Sequence, residues 1–79
     1  MNWYVYILEC NDNSLYTGIT NNLQKRITAH NSGKGAKYTK ARLPVKLVYK
    51  ESYRTKGDSL KREFEIKKLK RIQKLNLIK

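Results

Sequence analysis

The sequence predicts an α+β fold in which a small three-stranded antiparallel sheet is flanked by helices. Two stretches rich in β-branched and aromatic residues, 3–10 and 15–20, are separated by a turn-forming run at 11–14, which is typical of a β-hairpin. A third alternating stretch and two charged, helix-forming segments follow, giving the order β-β-α-β-α with room for a short last helix. A chain of 79 residues fits a single domain, 1–79, with a small core.

The first predicted strand, 3–10, carries bulky apolar side chains on both faces, which is typical of a central strand. A hairpin loop of two or four residues would place Tyr6 and Tyr16 on opposite faces of the sheet. A three-residue loop, with Asn13 in the left-handed conformation that Asn accepts, places them on the same face. In that register Tyr6 lies opposite Gly18, where we expect a shallow depression that lets a backbone phosphate approach the phenol.

The first helix is expected to begin after Asn21 or Asn22, either of which can act as its N-cap, and to end near Asn31. Leu23 and Ile27 are four residues apart, so they face the core together. A glycine-containing segment then terminates the helix.

Residues 33–44 read as a basic loop. The alternation that begins at Val45 predicts the third strand, extended as far as Tyr53. A strongly charged helix follows over 60–69, with Leu60 and Phe64 as its apolar anchors. The remaining C-terminal residues hold enough Ile and Leu for a short closing helix.

The charge of the chain indicates a polyanionic partner. Eighteen Lys and Arg against six Asp and Glu give a formal charge of +12, and basic side chains bind nucleic acid by neutralising phosphates. Cys10 and His30 are the single Cys and His of the sequence, which excludes a disulfide framework and a His/Cys metal centre. Binding to an anionic membrane is disfavoured, because the basic C-terminal segment has few bulky apolar residues to insert.

No apolar run approaches the roughly 20 residues that a membrane span needs, and the first residues lack the features of a leader peptide. We therefore expect a cytoplasmic protein, in which a free Cys stays reduced. A monomer is the favoured oligomeric state.

Three polar residues outside the strands are candidates for chemistry. Arg26 and His30 lie four residues apart, so they point from one face of the first helix. The planar guanidinium of Arg26 suits a phosphate because it makes two charge-assisted hydrogen bonds at once. Glu63 is a carboxylate in a field of cations, and one or two carboxylates with waters and substrate oxygens are what Mg²⁺ takes.

The basic loop supplies a second set of candidates. Its cations need no role in the core, and Tyr38 among them is suited to stack on a base. The residues expected to contact nucleic acid are Lys34, Lys37, Tyr38, Lys40, Arg42 and, on the later helix, Lys67.

Taken in order, these segments resemble the GIY-YIG nuclease domains, and within that family its small stand-alone bacterial members. The resemblance covers nearly the whole chain. It is carried by the stretches WYVYILEC, LYTGIT, LQKRITAHNSGKGAKYT, PVKLVY and LKREFEIKKL. The chain departs from the family pattern in its first motif, where Tyr4 and Val5 stand in place of Gly and Ile.

The resemblance implies metal-dependent hydrolysis of a phosphodiester, with DNA as the substrate and Mg²⁺ or Mn²⁺ as the cofactor. It implies that Tyr6 acts as general base and that Tyr16 orients the nucleophile or binds the scissile phosphate. Arg26 would stabilise charge on the phosphate, His30 would assist proton transfer or contact the phosphate, and Glu63 would hold the metal. A phenol has an ordinary pKa of about 10, so Tyr6 needs nearby cations to lower it; Arg26, the metal and the net charge act in that direction.

Each candidate also has a purely structural interpretation. Tyr6 and Tyr16 fit a hydrophobic core, and Arg26 fits a solvated helix face. A charged His30 near a helix C-terminus would be stabilised by the helix dipole, and Glu63 would form an i, i+4 pair with Lys67.

Three classes of function therefore remain open. The first is a metal-dependent endonuclease, and the second is a nucleic-acid-binding module on the same fold with little turnover. The third is an interaction protein whose charge binds rRNA or membrane non-specifically. Among these, the endonuclease predicts product formation that stops on chelation.

Overall fold

The computed structural model describes residues 2–79, in which three strands form one sheet. The regular elements are β1 (Trp3–Glu9), β2 (Leu15–Thr20), α1 (Leu23–Asn31), α2 (Lys37–Lys40), β3 (Lys46–Tyr53), α3 (Lys56–Lys68) and α4 (Arg71–Ile78). The strand order is β2-β1-β3 and both pairings are antiparallel. The predicted α+β class and the central position of the first strand are confirmed.

The hairpin between β1 and β2 has the three-residue loop that the sequence allows. Asn13 has a φ of 68°, and the amide of Cys10 donates to the carbonyl of Ser14 over 2.8 Å. This loop fixes a register in which Tyr6 pairs with Gly18. The side chains of Tyr6 and Tyr16 therefore share one face of the sheet, as predicted.

Helices cover both faces of the sheet. Leu23 and Ile27 of α1 pack on the face that carries Tyr6, as their spacing predicts. On the opposite face, Ile66 of α3 packs against Ile7 of β1, together with the end of α4. Within residues 2–79, no helix has the length and apolar character needed to cross a membrane.

Side chains at both ends fix the position of α1. Asn22 is its N-cap and accepts a hydrogen bond from the amide of Lys25 over 3.1 Å. At the other end, Asn31 makes two hydrogen bonds to the backbone of Val45, accepting from its amide at 2.8 Å and donating to its carbonyl at 3.1 Å. The last turn of α1, which carries His30, is thereby tied to the start of β3.

The predicted basic loop is partly wrong, because it contains the short helix α2. Thr39 is completely buried there, although it lies between exposed lysines. The carbonyl of Ala36 accepts from the amides of Thr39 and Lys40 at 3.2 Å each, which closes the helical turn.

The start and the anchors of α3 also differ from the prediction. Thr55 caps the helix by accepting from the amide of Asp58 over 3.1 Å, so α3 begins one turn before Leu60. Leu60 and Phe64 are not anchors, since they are 44% and 62% exposed. The buried residues of α3 are Ser59 and Ile66, and the small Ser59 side chain lets the helix lie close to the sheet.

Candidate active site

The phenol of Tyr6 is the buried centre of the candidate site. The side chain is only 1% exposed, and its hydroxyl is 3.0 Å from Nε2 of His30. A β-carbon on Gly18 would lie 2.6 Å from the Tyr6 oxygen, so the ring already fills the space above the glycine. The expected depression beside the phenol is therefore absent, because the phenol itself occupies it.

The environment of Tyr6 raises its pKa above the ordinary value of 10.0. Burial is the main cause, and the charges of Tyr16 and Glu63 act in the same direction. The guanidinium of Arg26 beside the hydroxyl lowers the pKa but does not outweigh burial. Arg26 therefore lowers this pKa as expected from the sequence, while burial sets the net direction of the shift.

His30 is fully buried between two polar side chains. Its Nε2 faces Tyr6, and its Nδ1 lies 2.8 Å from Oγ1 of Thr39. Burial and the positive charge of Arg26 lower the pKa of His30 below 6.5. The imidazole is therefore neutral near pH 7, so the interpretation of His30 as a charged partner of the helix dipole is wrong.

Tyr16 and Arg26 complete the group around the phenol. The ring of Tyr16 lies 6.4 Å from that of Tyr6 and 5.2 Å from that of His30, measured between centroids. Tyr6 is the main cause of a raised pKa at Arg26. The half-buried Arg26 side chain also lines an open concavity of about 260 Å³ together with Lys25, which gives this cation access to a phosphate.

Glu63 lies at the border of this group. Its side chain is 18% exposed, and its negative charge raises the pKa of the Tyr6 phenol. Nζ of Lys67 is 3.4 Å from Oε2 of Glu63, so the predicted i, i+4 pair is present.

The surroundings of Glu63 fit a magnesium ion better than a zinc ion. Within residues 2–79 there is no group of three or more His, Cys, Asp and Glu side chains that would enclose a metal. Zinc takes three or four protein ligands, whereas Mg²⁺ keeps several waters and binds through one or two carboxylates and substrate phosphates. A single, largely buried carboxylate whose charge acts on Tyr6 therefore fits Mg²⁺ held jointly with a phosphate.

The residues predicted to contact nucleic acid fall into two groups. Lys34, Lys37 and Lys40 are exposed. Arg42 is instead held in place, donating to the carboxylate of Asp12 at 3.0 Å and to the carbonyl of Tyr38 at 2.7 Å.

Tyr38 also has protein partners on its ring. It stacks on Tyr16 with a centroid separation of 6.0 Å, and the guanidinium carbon of Arg42 lies 4.1 Å from its centroid. The ring is 40% exposed, so only part of it remains open to a ligand.

Sequence reasoning missed three cations beside the site. Lys25 lines the concavity next to Arg26, while Arg71 and Lys74 line a second one, of about 210 Å³, next to Tyr38. Lys25 adjoins Arg26 in sequence, which is a signal that could have found it. The other two lie far from the site along the chain, and only the packing of α4 brings them beside Tyr38.

Residues 2–76 match the model of the GIY-YIG catalytic domain. A UPF0213 protein of Clostridium perfringens is 65% identical over 95% of this chain and 81% of its own length. One from Staphylococcus haemolyticus is 59% identical over 95% of this chain and 92% of its own.

Two solved structures have the same fold. The solution NMR structure of a UPF0213 protein from Bacillus halodurans has a TM-score of 0.63 and 49% identity, covering 99% of this chain and 83% of that one. A protein from E. faecalis, also solved by NMR, has a TM-score of 0.64 and 42% identity over 94% of this chain and 79% of its own.

Proposed function

The chain belongs to the GIY-YIG family of nuclease domains, and from this premise we propose that it is a metal-dependent endonuclease acting on DNA, including branched or damaged DNA. The observation that carries the proposal is the grouping of Tyr6, Tyr16, Arg26 and His30 around one phenolic oxygen, with Glu63 within electrostatic reach. Each of these residue types has a use in phosphodiester hydrolysis. One chain supplies all of them, in accord with action as a monomer.

In this proposal, Tyr6 first loses its phenolic proton to solvent and then, as the phenolate, accepts a proton from the attacking water at its oxygen. His30 and Arg26 lie beside that oxygen and stabilise the negative charge it carries when deprotonated. Tyr16, whose ring packs against both Tyr6 and His30, orients the nucleophile.

Arg26 has a second task at the phosphate. Its guanidinium remains charged at any physiological pH and lines an open concavity, so it can donate to the scissile phosphate as charge develops there. Glu63 would hold Mg²⁺ or Mn²⁺ beside this group. Such an ion supplies a Lewis acid that neutralises phosphate charge and makes a bound water more acidic.

The surface around the site supports a nucleic-acid substrate. Exposed Lys34, Lys37 and Lys40 lie on the segment that follows α1, and Lys67 lies one turn after Glu63 on α3. With a net charge of +12, these side chains attract the DNA backbone over a long range at low salt.

The second candidate function is a nucleic-acid-binding module without turnover. The raised pKa and the burial of Tyr6 favour it, since a buried neutral phenol is a poor base. The pairing of Glu63 with Lys67 favours it as well, because the metal has to compete with an ammonium group.

A cleavage panel separates the two functions. Single-stranded, duplex, flap and junction DNA are incubated with the purified protein and Mg²⁺ or Mn²⁺, with and without EDTA. An endonuclease gives products that disappear on chelation and in Glu63→Ala, while DNA binding persists in that variant. Glu65→Ala is the matched control, because it removes a 64% exposed carboxylate from the same helix and should cleave normally. Binding without any cleavage would leave the binding module as the function.

A further inference from the structure

The segment 35–39 closes over the imidazole of His30. Oγ1 of Thr39 lies 2.8 Å from Nδ1, and the backbone amide of Ala36 points at the same nitrogen from 3.4 Å. A β-carbon on Gly35 would be 2.3 Å from Nδ1 and 2.7 Å from the Cα of His30, so only glycine lets the segment pass this close. The segment therefore contacts His30 on the side away from Tyr6.

The hydrogen bonds at Nδ1 determine which ring nitrogen carries the proton. A backbone amide has a fixed hydrogen and can only donate, so the amide of Ala36 requires Nδ1 to be an acceptor. The hydroxyl of Thr39 can rotate toward either Nδ1 or the carbonyl of Ala36 at 3.0 Å. That carbonyl already accepts from two backbone amides, which leaves the hydroxyl free to donate to Nδ1.

We propose that Ala36 and Thr39 hold His30 in the tautomer that is protonated on Nε2, so that His30 donates its hydrogen bond to the oxygen of Tyr6. Thr39 is then a positioning residue that acts on the phenol through the imidazole. This inference rests on the proposed function, because it assigns the segment 35–39 a task in preparing the general base.

The direction of that hydrogen bond matters for the chemistry of Tyr6. In the Nε2-protonated tautomer, the phenol oxygen accepts from His30 and lies beside the Arg26 guanidinium, which together stabilise its deprotonated form. In the other tautomer, the phenol would donate to Nε2, and the lone pair of Nε2 would face the oxygen and not stabilise its deprotonated form. The remaining charged or titratable groups near this pair are Tyr16 and Glu63, and both oppose deprotonation. A fixed hydrogen bond from His30 therefore favours the deprotonated phenol, whereas burial, Tyr16 and Glu63 disfavour it.

The first test is ¹⁵N NMR of the imidazole in the full chain at neutral pH. His30 is the single histidine of the sequence, so its ring signals need no assignment by mutation. The proposal predicts that Nε2 shows the shift of a protonated nitrogen and a slowly exchanging N–H, while Nδ1 shows the far-downfield shift of an acceptor. A protonated Nδ1 would overturn it.

The second test uses three threonine variants. Thr39→Val keeps the side-chain volume but removes the donor to Nδ1, so we expect a mixture of tautomers by NMR and cleavage slowed about 5- to 30-fold, the rate equivalent of one hydrogen bond. Thr39→Ser restores the hydroxyl and should restore both readouts. Thr17→Val is the matched control, because Thr17 is also buried but its hydroxyl has no hydrogen-bond partner within residues 2–79.

The outcomes keep the two proposals distinguishable. If Thr39→Val keeps both the wild-type tautomer and the wild-type rate, Thr39 does not position the imidazole. If the wild-type protein cleaves no DNA but shows the Nε2-protonated ring, the tautomer assignment stands and the proposed nuclease function fails. Circular dichroism of each variant verifies that the fold is intact.

Discussion

Tyr6 lies directly across the sheet from Gly18, and its phenol occupies the volume in which a β-carbon on residue 18 would stand. In Gly18→Ala that carbon would meet the Tyr6 oxygen at 2.6 Å and the Tyr16 ring at 3.1 Å. We expect a loss of about 1–3 kcal/mol in unfolding free energy from overpacking, and a loss of cleavage because the phenol moves. Urea unfolding and the cleavage assay measure the two effects.

Gly57→Ala is the control for that variant. A β-carbon on Gly57 would meet none of the described residues 2–79 within 4 Å, and the residue lies in the first turn of α3. Alanine there should leave stability unchanged or slightly higher, with full cleavage. If Gly18→Ala and Gly57→Ala have the same unfolding free energy and the same cleavage rate, the close approach of Tyr6 to Gly18 is contradicted.

Replacing Tyr6 by Phe removes one hydroxyl from a fully buried ring. The change leaves Nε2 of His30 without its partner, so we expect a stability loss of about 1–3 kcal/mol, together with loss of cleavage. Tyr53→Phe is the matched control, because it also removes a hydrogen-bonded phenolic hydroxyl, one that donates to Glu51 at 2.5 Å on the other face of the sheet. Tyr53→Phe should lose stability but keep cleavage; the same loss of cleavage in both variants would mean that the effect of Tyr6→Phe is only structural.

The register of the hairpin was accessible from the sequence because it depends on local chemistry. Three turn residues and an alternating pattern on each side allow few loops, and Asn13 takes the one conformation that places Tyr6 and Tyr16 on the same face. The N-cap of α1 was narrowed to Asn21 or Asn22 for the same reason, since the Asn22 side chain accepts from an amide three residues away.

The segment around Thr39 was not accessible, because its structure depends on a contact distant in sequence. A threonine among lysines is typical of a solvated loop, and nothing local shows that its hydroxyl is required by His30, nine residues earlier. The prediction that Leu60 and Phe64 anchor α3 was wrong for a related reason. The spacing of large apolar residues predicts a buried face, but the sheet is approached through the small Ser59 and through Ile66.

The affinity for duplex DNA should depend strongly on salt. If the surface neutralises about five phosphates, the logarithm of the binding constant falls with the logarithm of salt at a slope near −4 to −5. Lys37→Ala and Lys40→Ala should each flatten the slope by about one unit without loss of stability, because both side chains are exposed. Arg42→Ala should in addition lose stability, because it breaks contacts to Asp12 and Tyr38. Fluorescence titrations at several salt concentrations measure the slopes, and a salt-independent affinity would contradict a phosphate-binding surface.

Acidification should destabilise the protein through His30. Its pKa in the folded state is below the ordinary 6.5, so the unfolded chain binds a proton that the folded chain does not. The contribution of the neutral His30 to the unfolding free energy is therefore fully present above about pH 6.5. It falls as the pH drops from there toward the lower folded pKa, by at most about 1.4 kcal/mol per pH unit. Urea unfolding between pH 7.5 and 5.5 measures this slope. His30→Gln should be less stable throughout but nearly independent of pH in that window, and a wild-type slope of zero would contradict a buried neutral imidazole.

Arg62 should stabilise the attachment of α3 to the sheet, and with it the position of the neighbouring Glu63. Its guanidinium donates to both oxygens of Glu51 on β3, at 2.9 and 3.2 Å from Nε, and it also pairs with Glu65 at 3.2 Å. Glu51 in turn accepts from Tyr53 and raises the pKa of that phenol to about 12.

Two single variants separate the contributions of these partners to the unfolding free energy. Arg62→Met should lower it by about 1–3 kcal/mol, because it leaves a half-buried carboxylate without its cation. Glu65→Gln should change it by less than about 1 kcal/mol, since that carboxylate is exposed. The Arg62→Met variant should also cleave DNA more slowly, because α3 is no longer held to β3 beside Glu63. If Arg62→Met and Glu65→Gln have the same stability, the pair with Glu51 does not hold α3 in place.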